Sequence, residues 1–368
     1  MSARLALALL VLAATAKLAH AYPQFQLSQD QTCSSCHISP AGGGLLNENG
    51  RAMIETFSTY GGNPDPAHGK LDGPDWLLVG ADLRGAAGLI YDEKLGPNAF
   101  PMEAEAAAWA HHGSFSVYAT LGFDEGDNSR PWTYLQAREH WVMWQQHPDS
   151  PNGLSVRVGR FMPVYGLRFA EHNIYTREDG ETPLDGETYG AAVEYVDPRW
   201  EAHVTAFVHD PWQFSTEPGN GAAAYVEARV GGGVAIGAEG RYAKSNAEAR
   251  TAGGVTAKYW VPAANLLFSL EAQAIHQTFD AGGYRDQIVS YLMASWFVHR
   301  SWLLDFGAGQ FDEDIKVKAV DLECLDANLH WFASSHWEFL LTNRIQTIAF
   351  GTGGGTSGYV LAQFHYRL

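Results

Sequence analysis

The chain has 368 residues, a formal net charge of −17 and three cysteines. Such acidity argues against nucleic acid or anionic lipid headgroups as partners, because both require a cationic surface. Three cysteines exclude a disulfide framework, and beyond the first 21 residues no apolar run reaches the ~18 residues of a membrane-spanning helix.

Residues 1–21 place Arg4 before the apolar run Leu5 to Ala14 and end on Ala19-His20-Ala21. A positive start, a short apolar stretch and small residues at its end predict a secretory signal cleaved near Tyr22. Its removal takes away Arg4 and Lys17 and no acid, so the exported chain is more acidic still.

Residues 22–75 form a distinct segment. It carries Cys33-Ser34-Ser35-Cys36-His37. C-x-x-C-H is the attachment pattern of one covalent haem c: the two thiols bond the vinyl groups and His37 takes an axial position on the iron. Export fits this, since haem c is attached outside the cytoplasm. A zinc site would need two further ligands at comparable spacing, and a thioredoxin-type motif would need a βαβ setting; the sequence offers neither. A short helix is predicted from Asn47 to Tyr60. Met53 lies on it and is the predicted sixth ligand of the haem iron, a thioether that would raise the potential; packing on the haem edge is the alternative. His68, His111 and His112 are rivals for that position. A Gly/Pro/Asp-rich linker, Gly61 to Pro74, follows. About 50 residues cannot bury a porphyrin unaided, so the segment is expected to plug whatever follows it.

Residues 76–368 alternate with a period of two. Val226, Ala228 and Val230 alternate with Glu227 and Arg229. Ile236 and Ala238 alternate with Glu239 and Arg241, and Val360, Ala362, Phe364, Tyr366 and Leu368 with Gln363, His365 and Arg367. Roughly 16 such strands, joined by connections that alternate between tight and long, predict an all-β, antiparallel outer-membrane barrel with a small, partly helical haem plug at its N-terminus. Tight turns are expected at 111–113, 197–199, 231–233, 262–265, 299–301 and 333–335. Long loops are expected at 92–101, 124–131, 166–187 and 210–221. Glu103, Glu105, Arg138, His140, Arg157, Glu227, Arg229, Glu239 and Arg241 are expected to face the lumen. Met102 and Met143 are expected to face lipid, and Cys324 to be an inert wall residue. Trp141, Trp144, Trp296, Phe297, Trp331 and Trp337 are expected in interface girdles. The acids of the long loops (Asp124, Glu125 and Asp127; Glu178, Asp179, Glu181, Asp185 and Glu187; Asp312, Glu313 and Asp314) would give a negative rim that concentrates cations. No hydrolase pattern of Ser-His-Asp or paired carboxylates is present.

The lead-in Pro23-Gln24-Phe25, the haem pentapeptide, Pro40, and Leu46-Asn47-Glu48-Asn49-Gly50-Arg51 resemble the fused monohaem cytochrome–porin family, which includes outer-membrane Fe(II) oxidases. Gly159-Arg160-Phe161-Met162-Pro163 with Tyr165-Gly166 resembles porin walls generally. The Gly42-Gly43-Gly44 insertion and the short chain depart from the iron-oxidase pattern. The resemblance implies haem c on Cys33, Cys36 and His37, and electron transfer across the outer membrane. The partners it implies are membrane lipid, a periplasmic electron-accepting cytochrome and an extracellular donor such as Fe(II). A passive porin with a structural or sensory haem segment is the alternative expectation.

Overall fold

In the computed structural model the period-two alternation becomes sixteen antiparallel strands that close on themselves. The structure describes residues 23–368 except 72, 93, 125–134, 172, 184–185, 211–218, 318–320 and 349–354. The predicted signal, and the loop acids Glu125, Asp127 and Asp185, therefore lie outside the described residues. The strands run β1 (Leu77–Asp92), β2 (Lys94–His112), β3 (Phe115–Asp124), β4 (His140–Gln145), β5 (Gly153–Phe161) and β6 (Thr188–Val196). Then follow β7 (Trp200–Val208), β8 (Asn220–Gly231), β9 (Val234–Lys244), β10 (Glu248–Val261) and β11 (Leu266–Phe279). Finally come β12 (Tyr284–His299), β13 (Trp302–Asp312), β14 (Asp321–Phe332), β15 (Trp337–Ile348) and β16 (Thr356–Arg367). Each pairs with its sequence neighbour, and β1 closes on β16 from Asp82↔Arg367 to Asp92↔Ser357. Among the described residues no helix is long and apolar enough to cross a membrane, which leaves crossing by strands untouched.

The predicted faces hold on most strands. Val226, Ile236, Val360 and Phe364 are exposed outside, while Glu227, Glu239, Arg241 and His365 are buried inside. Several inward charges are neutralised by partners, as burial favours: Arg138 with Glu103 at 2.9 Å and Glu105 at 3.2 Å, Arg157 with Glu194 at 2.9 Å, and Lys258 with Glu227 at 2.8 Å.

Several expectations are corrected. Met143 and Trp141 point inward and are buried with Tyr118, Phe161 and Ile38. His140 lies on the outward parity of Val142, its Nε2 3.1 Å from the Tyr189 hydroxyl. Phe297 packs inward on Phe25, whereas Trp302, Trp331, Phe339 and Trp337 stack along the tight-turn rim. The supposed loop at 92–101 is largely strand, since β1 and β2 pair as far as Asp92↔Lys94.

The N-terminal segment enters the lumen at the tight-turn end. It carries α1 (Pro23–Ser28), α2 (Cys33–Cys36), α3 (Glu48–Phe57) and α4 (Pro66–Gly69). Asn47 starts α3 by accepting a hydrogen bond from the Gly50 amide at 3.0 Å, as an N-cap should. Phe25, Ile54 and Phe57 are buried against Leu267, Phe297, Leu303 and Phe332 of β11 to β14. Ile38 is buried against β2 to β6 on the other side. The segment thus spans the bore from wall to wall. Thr59 and Tyr60 amides donate to the Phe332 and Ala333 carbonyls, each at 3.0 Å, and tie its exit to the rim.

A second segment fills the bore from the other side. The connection between β5 and β6 was expected at the rim, but it folds inward. Tyr165, Leu167, Phe169, Ile174 and Tyr175 are buried against Ile275, Val289, Tyr291, Met293 and Cys324 of the wall. Its Glu181 is buried and meets Arg241 at 3.3 Å and Arg250 at 2.8 Å, so this acid belongs to an internal ion-pair network.

Candidate functional site

Where the two inserted segments meet, the Cys-x-x-Cys-His turn lies at the floor of a cleft. Helix α2 is a single turn, closed by the His37 amide donating to the Cys33 carbonyl at 2.9 Å. The Thr32 amide donates to Ser35 Oγ at 3.2 Å and caps its start. His37 then leaves in extended conformation and pairs with Leu46. Between them Gly42, Gly43 and Gly44 take φ of +84°, +75° and +60°, a left-handed run that side chains resist. This run folds the chain back so that the Gly43 carbonyl lies 2.8 Å from His37 Nδ1.

The consequence falls on the other ring nitrogen. His37 Nε2 is buried and has no hydrogen-bond partner among the described residues. Burial lowers the His37 pKa to about 4, so the imidazole is neutral at pH 7. One nitrogen donating to a carbonyl and the other carrying a bare lone pair is the state of a metal-ligating histidine.

The two thiols flank the same space. Burial raises Cys33 to about 11 and Cys36 to about 12. They are therefore not the acidified thiolates of redox C-x-x-C motifs. Among the described residues no further ligand joins them in a cluster of metal-binding size. The cleft is lined by Phe25, Cys33, Cys36, His37, Gly42 and Arg168, among others. Helix α3 packs closely beneath it, because a Cβ on Gly50 would strike the Cys36 carbonyl.

Met53 is buried on α3, but its sulfur lies 3.9 Å from Cys36 Sγ and 3.3 Å from Asn49 Nδ2, and it does not line the cleft. The His68 ring packs at a tilt against His336 at the rim, centroids 3.9 Å apart, and His111 binds the Asp75 carbonyl at 3.0 Å. His112 ends β2 and is exposed.

Sequence reasoning missed Arg168. It comes from the inserted loop, pairs with Glu201 and sits 5.4 Å over the Tyr225 ring. Its Nη1 is buried without a hydrogen-bond partner. Behind it runs a buried chain: His203 between Glu201 at 3.0 Å and Glu194 at 3.1 Å, then Arg157, which reaches Ser39 at 3.0 Å. The alternation of Glu201 and His203 in β7 marked them as inward. Nothing local tied them to the Cys-x-x-Cys turn.

No family model and no curated protein matches the sequence. Solved structures do match. An anion-selective porin from Comamonas acidovorans superposes with a TM-score of 0.63 at 11% identity, over 79% of this chain and 99% of that one. OmpT of Vibrio cholerae gives 0.61 at 11%, over 81% and 100%. OmpF of Salmonella typhi, solved with daunomycin, gives 0.59 at 9%, over 79% and 97%. At such identities the likeness is one of fold: the chain is a 16-stranded barrel of porin type with a helical N-terminal segment.

Proposed function

We propose that this protein is an electron conduit of the bacterial outer membrane, holding one haem c inside a porin-type barrel. Electrons pass between an extracellular donor, with Fe(II) favoured, and a periplasmic cytochrome. The observation that carries this is His37: a buried, neutral imidazole with a bare Nε2 beside two cysteines at thioether spacing. When bound, the haem supplies a one-electron Fe(III)/Fe(II) couple. The chain's own residues do the rest. Cys33 and Cys36 would anchor the macrocycle and His37 Nε2 would ligate the iron, its ring held by the Gly43 carbonyl. Arg168 would offer a cation to a propionate, and Phe25 would supply apolar cover.

Location follows from the surface. An outward ring of Val, Leu, Ile and aromatic side chains suits a hydrocarbon layer ~30 Å thick, and only closed barrels or helices satisfy their backbone there. Short turns face the periplasm in bacterial barrels, so the plug enters from that side, within reach of a soluble acceptor. The acidic chain favours a cationic donor.

The test is anaerobic mixing of the purified protein with Fe(II) while the reduced haem bands are followed. Their appearance is the expected result, and their absence removes Fe(II) as donor. For the sixth position, Met53→Ala is expected to lower the midpoint potential. An unchanged spectrum and potential would leave Met53 a packing residue.

A second reading, a passive porin with a structural haem segment, is favoured by the porin fold of the matched structures. Conductance separates the two.

A further inference from the structure

Helix α1 serves the cleft with one face and a different site with the other. Residues two apart on a helix point nearly opposite ways. Gln26 approaches Cys33 Sγ at 3.0 Å, while Gln24 turns to Asp305, its Nε2 3.5 Å from Oδ2. Asp305 on β13, His330 on β14 and Glu171 on the inserted loop converge there, with potential ligand atoms all within 4.8 Å of one another. We propose that Glu171, Asp305 and His330 bind one first-row divalent transition ion inside the barrel, with the Gln24 amide beside them.

Geometry supports this first. His330 Nε2 lies 3.2 Å from Asp305 Oδ2 and 3.7 Å from Glu171 Oε1. Metal–ligand bonds of about 2.0–2.2 Å place donor atoms at such separations. His330 Nδ1 lies 3.2 Å from Glu338 Oε1, which orients Nε2 toward the cluster; this is the carboxylate–histidine–metal arrangement of many metal sites.

Unmet polar atoms support it independently. Among the described residues, Asp305 Oδ1 and Gln24 Oε1 are buried without hydrogen-bond partners, and no other side chain comes within hydrogen-bond distance of the Glu171 carboxylate. Gln24 and Asp305 are wholly buried. Leaving such groups unsatisfied costs roughly 1–3 kcal/mol each, and more for charged ones.

Charge points the same way. Glu338 meets Arg367 at 2.8 Å, and among the described residues Glu171 and Asp305 share the imidazole of His330. A divalent ion balances both carboxylates with that imidazole neutral, which a buried site favours. One nitrogen with a few oxygens suits Mn(II), Fe(II) or Zn(II) better than Ca(II), which takes six to eight oxygens. The site uses none of Cys33, Cys36 and His37, so it does not rest on the haem reading.

The test titrates Mn(II) into the full-length protein, stripped of metal by chelation, and reads free Mn(II) from its six-line paramagnetic resonance signal. One tightly held Mn(II) per chain is expected. Glu171→Gln keeps the shape of the side chain and removes its charge, so the variant should fold; it is expected to weaken binding tenfold or more. Glu338→Gln is expected to weaken it by about 10–100-fold through the lost orientation of His330. Glu313→Gln, on an outer loop, should leave binding unchanged. A wild type that holds no Mn(II), or one whose binding survives both Glu171→Gln and Asp305→Asn, overturns the proposal and leaves His330 as an imidazolium in a salt-bridge network.

Discussion

Replacing Cys33 and Cys36 together by alanine is expected to abolish haem staining of the denatured protein while the barrel still folds. The two effects separate because the two parts are held differently. Haem that survives denaturation must be covalent, and on the proposed reading Cys33 and Cys36 supply both thioethers. The described residues hold one other thiol, Cys324, buried in the wall cluster with Tyr291 and Phe311, away from the cleft. The barrel, by contrast, depends on its ladder, which closes through β1 and β16 without the plug. Losing the Cys36 sulfur from its contact with Met53 costs on the order of 1 kcal/mol of local packing. Heat-modifiable migration on a gel reads barrel folding, and peroxidase staining reads haem. A single Cys33→Ala change leaves one thioether, so partial staining should remain. A wild-type protein that never stains would end the haem reading, as would a double variant that stains as strongly as wild type.

How much was legible in the sequence follows from the range of the forces involved. The Cys-Ser-Ser-Cys-His turn and the Asn47 cap are local, so spacing and side-chain chemistry reveal them. The last strand is legible for the same reason: apolar and polar residues alternate cleanly from Ala362 to Leu368. In β4 this signal fails, because Trp141, Val142, Met143 and Trp144 are apolar on both parities. There the plug's Ile38 asks for a greasy inner wall, which is a tertiary fact. The connection from Met162 to Glu187 misled through its acids. Glu181 looked like a solvated rim residue, yet Arg241 and Arg250, distant in sequence, neutralise it inside. The aromatic and aliphatic run Tyr165, Leu167, Phe169, Ile174 and Tyr175 was the signal that it would bury itself. The partners of Arg168, and the meeting of Glu171 with Asp305 and His330, depend on strand registers that no local pattern encodes.

In planar bilayers the full chain is expected to show little ionic current, far below an open barrel of 16 strands, which leaves an aqueous channel when unplugged. The reason is the double occupation of the bore. Phe25 sits edge-on to Phe57 at 5.3 Å and to Phe297 at 5.3 Å, and Phe57 meets Phe332 at 5.2 Å, locking the plug to one wall. Arg157 reaching Ser39 and the burial of Ile38 lock it to the other. Behind it lies the inserted loop, packed on β11 to β14. Truncating Phe25 and Phe57 to alanine removes two buried rings, each worth about 3–5 kcal/mol in a packed core. The plug should then visit an open state often enough for discrete current steps to appear, while the loop still narrows the bore. This ordering distinguishes the two functional readings. A conduit must block ions while passing electrons, so wild type should be near silent and the double variant leaky. Steady, porin-sized current from the wild type would mean that the plug does not close the bore, and the passive porin would then be the better account.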